Sequence, residues 1–264
     1  MRIFNGFPGS LYPAKNTARH IGAMLLACLF ISGNAHSAII STSVTPVATD
    51  VGGYAMTAFN LPTGNNQTVT SATSLAGDLV QFTTKNGAAA QPMMVGDLND
   101  TTVDDSWWTG SEDSFYYAGF NVNWVELILP KNTLAFSLTI DSNINSNAWI
   151  LGVADDGSAV DTAGNAFTLQ GNGDFTPNPA FNITLRNGQA ESYGFYVDNS
   201  GGGSCNTLSK VVVDPNYWGM GDFSIHVADD PCGTVPEPDS LALMMLGLIG
   251  GLGMAVAKRR QPSQ

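Results

Sequence analysis

Apolar side chains recur at every second position along much of the middle of this chain, and nowhere in that middle do they hold helical spacing for three turns. Leu134, Phe136, Leu138 and Ile140 alternate with Ala135, Ser137, Thr139 and Asp141, and Phe181, Ile183 and Leu185 alternate with Asn182, Thr184 and Arg186. Tyr193, Phe195 and Val197 form a third set, and Phe223, Ile225 and Val227 a fourth. A strand turns successive side chains to opposite faces, so each set predicts a strand with one dry face and one wet face. Residues 124–129 and 133–141, joined by Pro130-Lys131-Asn132, predict a hairpin with a short turn. Further strands are predicted over residues 54–61, 79–84, 115–122, 148–153, 166–170 and 209–213, separated by Gly-, Asn- and Asp-rich loops. Many short strands with polar turns predict an all-β domain, an antiparallel sandwich or jelly roll.

Two apolar runs break this alternation, one near each end. Ile21 to Ile31 follows Lys15, Arg19 and His20 and precedes the small residues Ala35 to Ala38. A basic lead, a short apolar core and a small-residue cleavage point predict a signal peptide over 1–38, taken up by the Sec translocon and cut by signal peptidase after Ser37 or Ala38. Near the other end, Leu241 to Ala257 is an uncharged run of 17 residues followed by Lys258, Arg259 and Arg260. As a helix it would extend about 25 Å, at the short end of what crosses a bilayer core. The basic cluster would stop on the cytoplasmic side and leave everything before it outside, where a signal peptide also delivers it.

Directly before that run stands Val235-Pro236-Glu237-Pro238. Each proline fixes its own φ and pushes the residue before it out of helical space, so the stretch is a stiff, extended handle just outside a membrane. Triplet, Gly-containing apolar span and terminal basic cluster together resemble the PEP-CTERM sorting tail of Gram-negative bacteria. The resemblance implies recognition by an exosortase, a membrane-embedded cysteine-type transpeptidase that cleaves near the motif, and a destination at the cell surface or in the extracellular polymer matrix. It covers residues 235–260 only; with the tail taken as 235–264, a domain of about 200 residues is left over 39–234, a size that one core supports. Residues 124–226, with their Leu-Pro turn and the strands containing YGFYVDN and GDFSI, also resemble the globular part of other PEP-CTERM proteins.

Charge narrows the function. From Ile39 to Val235 there are four basic residues, Lys85, Lys131, Arg186 and Lys210, against 20 acidic ones, a net charge of −16. Such a surface repels phosphate backbones, which argues against nucleic acid as a partner. Cys205 and Cys232 are the cysteines left after signal removal, and a pair in an exported chain reads as one disulfide.

Catalytic chemistry finds little support. His226 is the one histidine left in the mature chain; it falls on the polar face of its strand, and no Gly-x-Ser-x-Gly elbow offers it a nucleophile. Glu112, Glu126 and Glu191 are the domain's glutamates, and Glu126 is expected to be solvated, opposite Val125 and Leu127. The reading is therefore a non-enzymatic surface or matrix protein without a cofactor, with a secreted hydrolase as the least favoured class. Trp107, Trp108, Tyr116 and Tyr117 could instead stack on sugar rings, which would make this an exopolysaccharide-binding module. Asp97, Asn99, Asp100, Asp104 and Asp105 supply hard oxygens of the kind calcium takes, though without EF-hand spacing. Packed aromatics and solvated loop acids are the plainer readings of these two groups.

Overall fold

In a computed structural model the described residues are 38–87, 89–100, 105–118, 124–168, 183–199, 205–214 and 218–231. They form strands β1 (Ala38–Ser43), β2 (Asp50–Val51), β3 (Tyr54–Ala55), β4 (Thr57–Ala58), β5 (Thr68–Val69), β6 (Ser71–Thr73), β7 (Leu79–Thr84), β8 (Met93–Asp97), β9 (Ser114–Ala118), β10 (Val125–Ser142), β11 (Ser146–Ala154), β12 (Ser158–Asp161), β13 (Ala166–Thr168), β14 (Ile183–Leu185), β15 (Glu191–Asp198), β16 (Leu208–Asp214) and β17 (Trp218–Val227). The fold is all-β, and every pairing between these strands is antiparallel. One 3-10 turn, Lys85–Gly87, is the only helical element among the described residues.

Strand β10 organises the molecule by belonging to two groups of strands. Its first part, Val125 to Ile128, lies between β7 and β16, and from β16 the ladder continues through β11 and β12 to β13. Its second part, from Thr133 onward, lies between β15 and β17, with β1 beyond β15 and β9, β8 and β5 beyond β17. The hairpin expected at Pro130-Lys131-Asn132 is thus not formed: the two halves pair with other strands and not with each other. The turn residues bend the strand instead of reversing it. Asn132 takes a φ of +65°, Thr133 Oγ1 donates to Pro130 O at 2.7 Å, and the register shifts between Ile128 and Thr133. One left-handed residue makes a bulge, whereas the favoured two-residue hairpin turn needs two in succession.

Segment 57–60 links the two groups a second time. Thr57 and Ala58 pair with Ile225 and Ser224 of β17, then Phe59 bridges Ser74 and the Asn60 N–H donates to Thr73 O at 2.9 Å. Between the groups lies one continuous apolar core. Phe82, Val125, Leu127, Ile150, Val211 and Val213 face Phe136, Leu138, Ile140, Phe195, Phe223 and Ile225 across it, all at most 2% exposed.

Thr184 and Arg186 are exposed as expected, but the faces expected to be wet at 135–141 and at Ser224 are dry as well. Ala135, Ser137, Thr139, Asp141 and Ser224 are at most 1% exposed. Segment 44–56 crosses over β10 and β15, packing Val44, Val51, Tyr54 and Met56 against Ala135 and Tyr196. The polar side chains trapped beneath such crossings bond in pairs: Ser137 Oγ lies 2.6 Å from Ser224 Oγ and Thr139 Oγ1 2.7 Å from Ser192 Oγ, which offsets their desolvation.

Candidate functional site

Two places concentrate the side chains with chemical potential. The first is the segment from Asp105 to Asp113, which carries Trp107 and Trp108 onto the outer face of β8, β9 and β17. That face is floored by glycine. A Cβ at Gly96 would meet the Phe115 ring at 2.3 Å, and one at Gly219 would meet Phe115 and Trp107 at 2.8 Å. The rings occupy the space: Trp108 stacks on Phe115 with centroids 4.7 Å apart, and Trp107 meets the same ring edge-on at 5.1 Å.

Three buried carboxylates, each at most 6% exposed, hold this cover. Asp222 accepts from the Ser111 and Glu112 N–H groups at 2.8 and 2.9 Å. Asp141 accepts from the N–H and hydroxyl of Thr109 at 2.9 and 2.7 Å and from the Ser142 N–H at 2.7 Å. Asp105 accepts from the Asp97 N–H at 3.2 Å. Asp222 sits at a register shift of β17 with a φ of +50°, which aims its carboxylate at the loop. Glu112 lies beside it, and burial, helped by the Asp222 charge, pushes its carboxyl up to about 7. Burial also raises Asp141, against the hydrogen bonds it accepts.

These positions decide what the predicted residues can reach. Of the four aromatic candidates, Trp108 and Tyr116 are 2% and 5% exposed, and Tyr116 stacks on Phe223 on the core side. They have no free face for a sugar. Trp107 and Tyr117 are half-buried on the outer face, with Tyr117 Oη donating to Asn66 Oδ1 at 2.9 Å. Among the acids, Asp97 Oδ1 accepts from the Asn99 N–H at 2.8 Å and Asp100 Oδ2 from Asn65 Nδ2 at 2.7 Å. No group of three His, Cys, Asp or Glu side chains suited to a metal occurs among the described residues, and Asp104 lies outside them.

The second place was not foreseen. Glu126 does point away from the main core, yet it is 1% exposed, which corrects the expectation of a solvated side chain. Trp124, Trp149, Leu151, Val153, Ala159 and Val212 form a satellite apolar cluster on that outer face. Within it Glu126 Oε1 accepts from Lys210 Nζ at 2.8 Å and Trp124 Nε1 at 3.1 Å, and Oε2 from the Gly87 N–H at 3.1 Å. Lys85 Nζ stands 4.6 Å over the Trp124 ring. Two of the domain's four basic residues therefore serve one buried carboxylate and its indole partner. His226 is half-buried, its Nδ1 2.8 Å from Ala55 O and its ring 5.2 Å from Tyr54. Cys205 is exposed and disulfide-bonded. Cys232, Val235, Pro236, Glu237, Pro238, Lys258, Arg259 and Arg260 lie outside the described residues, as does the segment read as a signal peptide.

Comparison with known families decides which end of the chain carries the functional signal. Residues 234–260 match the family model of the PEP-CTERM protein-sorting motif. The match covers the Pro236-Glu237-Pro238 triplet, the apolar run and the basic cluster, and it lies entirely beyond the folded domain. A PEP-CTERM tail marks a protein for export to the cell envelope and for processing by an exosortase. No curated protein matches the chain.

Proposed function

We propose that this is an exported β-sandwich protein, delivered through a signal peptide over 1–38, held by Leu241 to Ala257 in the inner membrane, and sorted through its PEP-CTERM tail by an exosortase to the cell surface or polymer matrix. Its role there is structural or adhesive and needs no catalysis or cofactor. The observation that carries the reading is the sorting-motif match at 234–260, placed directly after the last described strand. Both oxygens of Asp222 and of Glu126 already accept hydrogen bonds within the fold, which favours structural work over acid–base chemistry for these acids. A disulfide between Cys205 and Cys232 is part of this proposal. In an exosortase-bearing host, the native chain is expected to lose its tail near Pro238, and a chain with Pro236→Ala, Glu237→Ala and Pro238→Ala is expected to stay in the inner membrane. Intact mass and cell fractionation read both, and a native chain that keeps Leu241 to Gln264 overturns the proposal.

A second reading, exopolysaccharide binding, is favoured by the half-buried Trp107 and Tyr117, which flank Phe115 on the outer face. Trp107→Ala should then abolish retention on purified polysaccharide while leaving the folding transition cooperative. Retention equal to the native chain's would end that reading.

A further inference from the structure

Both chain ends leave the domain at one of its ends. Ala38, the first residue of β1, is paired with Asp198, the last of β15. Two residues earlier in β15, Tyr196 faces Ala135 of β10, and Thr133 faces Val227, the last residue of β17. Ala38 and Val227 are thus separated by three strand spacings, about 15 Å. The same end carries the β10 bend at Pro130 to Asn132, whose Asn132 carbonyl accepts from the Ala228 N–H at 3.1 Å. It also carries the turn after β11, where the Asp155 N–H donates to Thr207 O at 3.0 Å. The far end is made by the β10–β11 turn, with Ile144 46% exposed.

We propose that the end bearing Ala38, Lys131, Asp155 and Ala228 is the face turned toward the membrane, with the opposite end at Ile144 pointing away. This rests on the proposal that Leu241 to Ala257 spans the bilayer. Nine residues, 232–240, connect the last described residue to that span, a reach of at most about 35 Å. Asn132 and Ser142 lie ten residues apart along β10, about 33 Å, so when the exit end stands near the lipid Ile144 lies a strand length farther out. The amino-terminal segment leaves from the same end, so the domain can close its sheets while both flanking segments are still in the bilayer. Asp155, Asp156, Asp198, Asp229 and Asp230 stand at this end with Lys131, and like charge keeps such a surface from adhering to anionic lipid. Attachment is therefore through the linker.

The test places one donor dye, through a non-natural amino acid, at Lys131 or at Ile144, both exposed, in the full signal-cleaved chain reconstituted into vesicles with acceptor-labelled lipid. Flotation with the vesicles is read first; a chain that does not float overturns the span and the orientation together. For a floating chain, energy transfer to the bilayer is expected to be several-fold stronger from Lys131 than from Ile144, in zwitterionic and anionic vesicles alike. Equal transfer, or stronger transfer from Ile144, overturns the orientation alone. Changing Pro236, Glu237 and Pro238 to Ala is expected to leave transfer unaltered, so a failure of the sorting motif is read separately.

Discussion

Glu112 keeps its proton to about pH 7 because the loop it belongs to presses it against the sheet beside the Asp222 carboxylate. Folding therefore favours its neutral form. Its stabilising contribution is full below the ordinary carboxylate range and is lost as pH rises from about 4.5 toward 7. Asp141, also raised by burial, acts in the same direction. Glu112→Gln should match the native protein at pH 5 and exceed it at pH 8, by on the order of 1 kcal/mol once the solvent that still reaches the side chain is allowed for. Urea midpoints at the two pH values measure this, and a native-to-Gln difference independent of pH would contradict it. The role of Asp222 is half-written in the local pattern. Trp218 and Met220 are core residues in one phase and Phe223 and Ile225 in the other, so the alternation slips by one at Gly221-Asp222. The slip announces a bulge, but nothing near it in the chain says that Ser111 and Glu112 will supply the N–H groups.

At the scale of elements, β10 shows where period-two reading succeeds and where it stops. Val125 and Leu127, then Phe136, Leu138 and Ile140, all enter the main core as their alternation predicts. The error concerns what joins them and what lies on the other side. Pro130-Lys131-Asn132 has turn composition, yet the chain continues because each half has better partners than the other half: β7 and β16 before the bend, β15 and β17 after it. On the outer face Glu126 is buried with Lys210 as its ionic partner. Removing that partner strands a carboxylate in a low-dielectric cluster, so Lys210→Met should cost about 3 kcal/mol. Adding Glu126→Gln should recover most of the loss, because the amide oxygen still accepts from Gly87 or Trp124. A double-mutant cycle in urea checks this, and additive losses would show that the pair is not coupled.

For the whole molecule, two kinds of information meet. Short-range patterns were sufficient for the all-β class, for most strand positions and for the sorting tail. Each is specified within a handful of neighbouring residues: alternation over five to ten positions, or a triplet, an apolar run and a basic cluster in fixed order. The sequence alone therefore determined that this chain carries a β domain followed by a PEP-CTERM tail. Tertiary structure alone decided which second faces are dry, since segment 44–56 covers Ala135 and segment 105–113 covers Gly219 and Gly221, pairs that stand far apart in the sequence. It also decided that Trp108 and Tyr116 are packing residues and that Ala38 and Ala228 stand at one end of the domain. Burial of a second face and the direction of an exit depend on which distant segments cross, and alternation in a single strand contains no term for that.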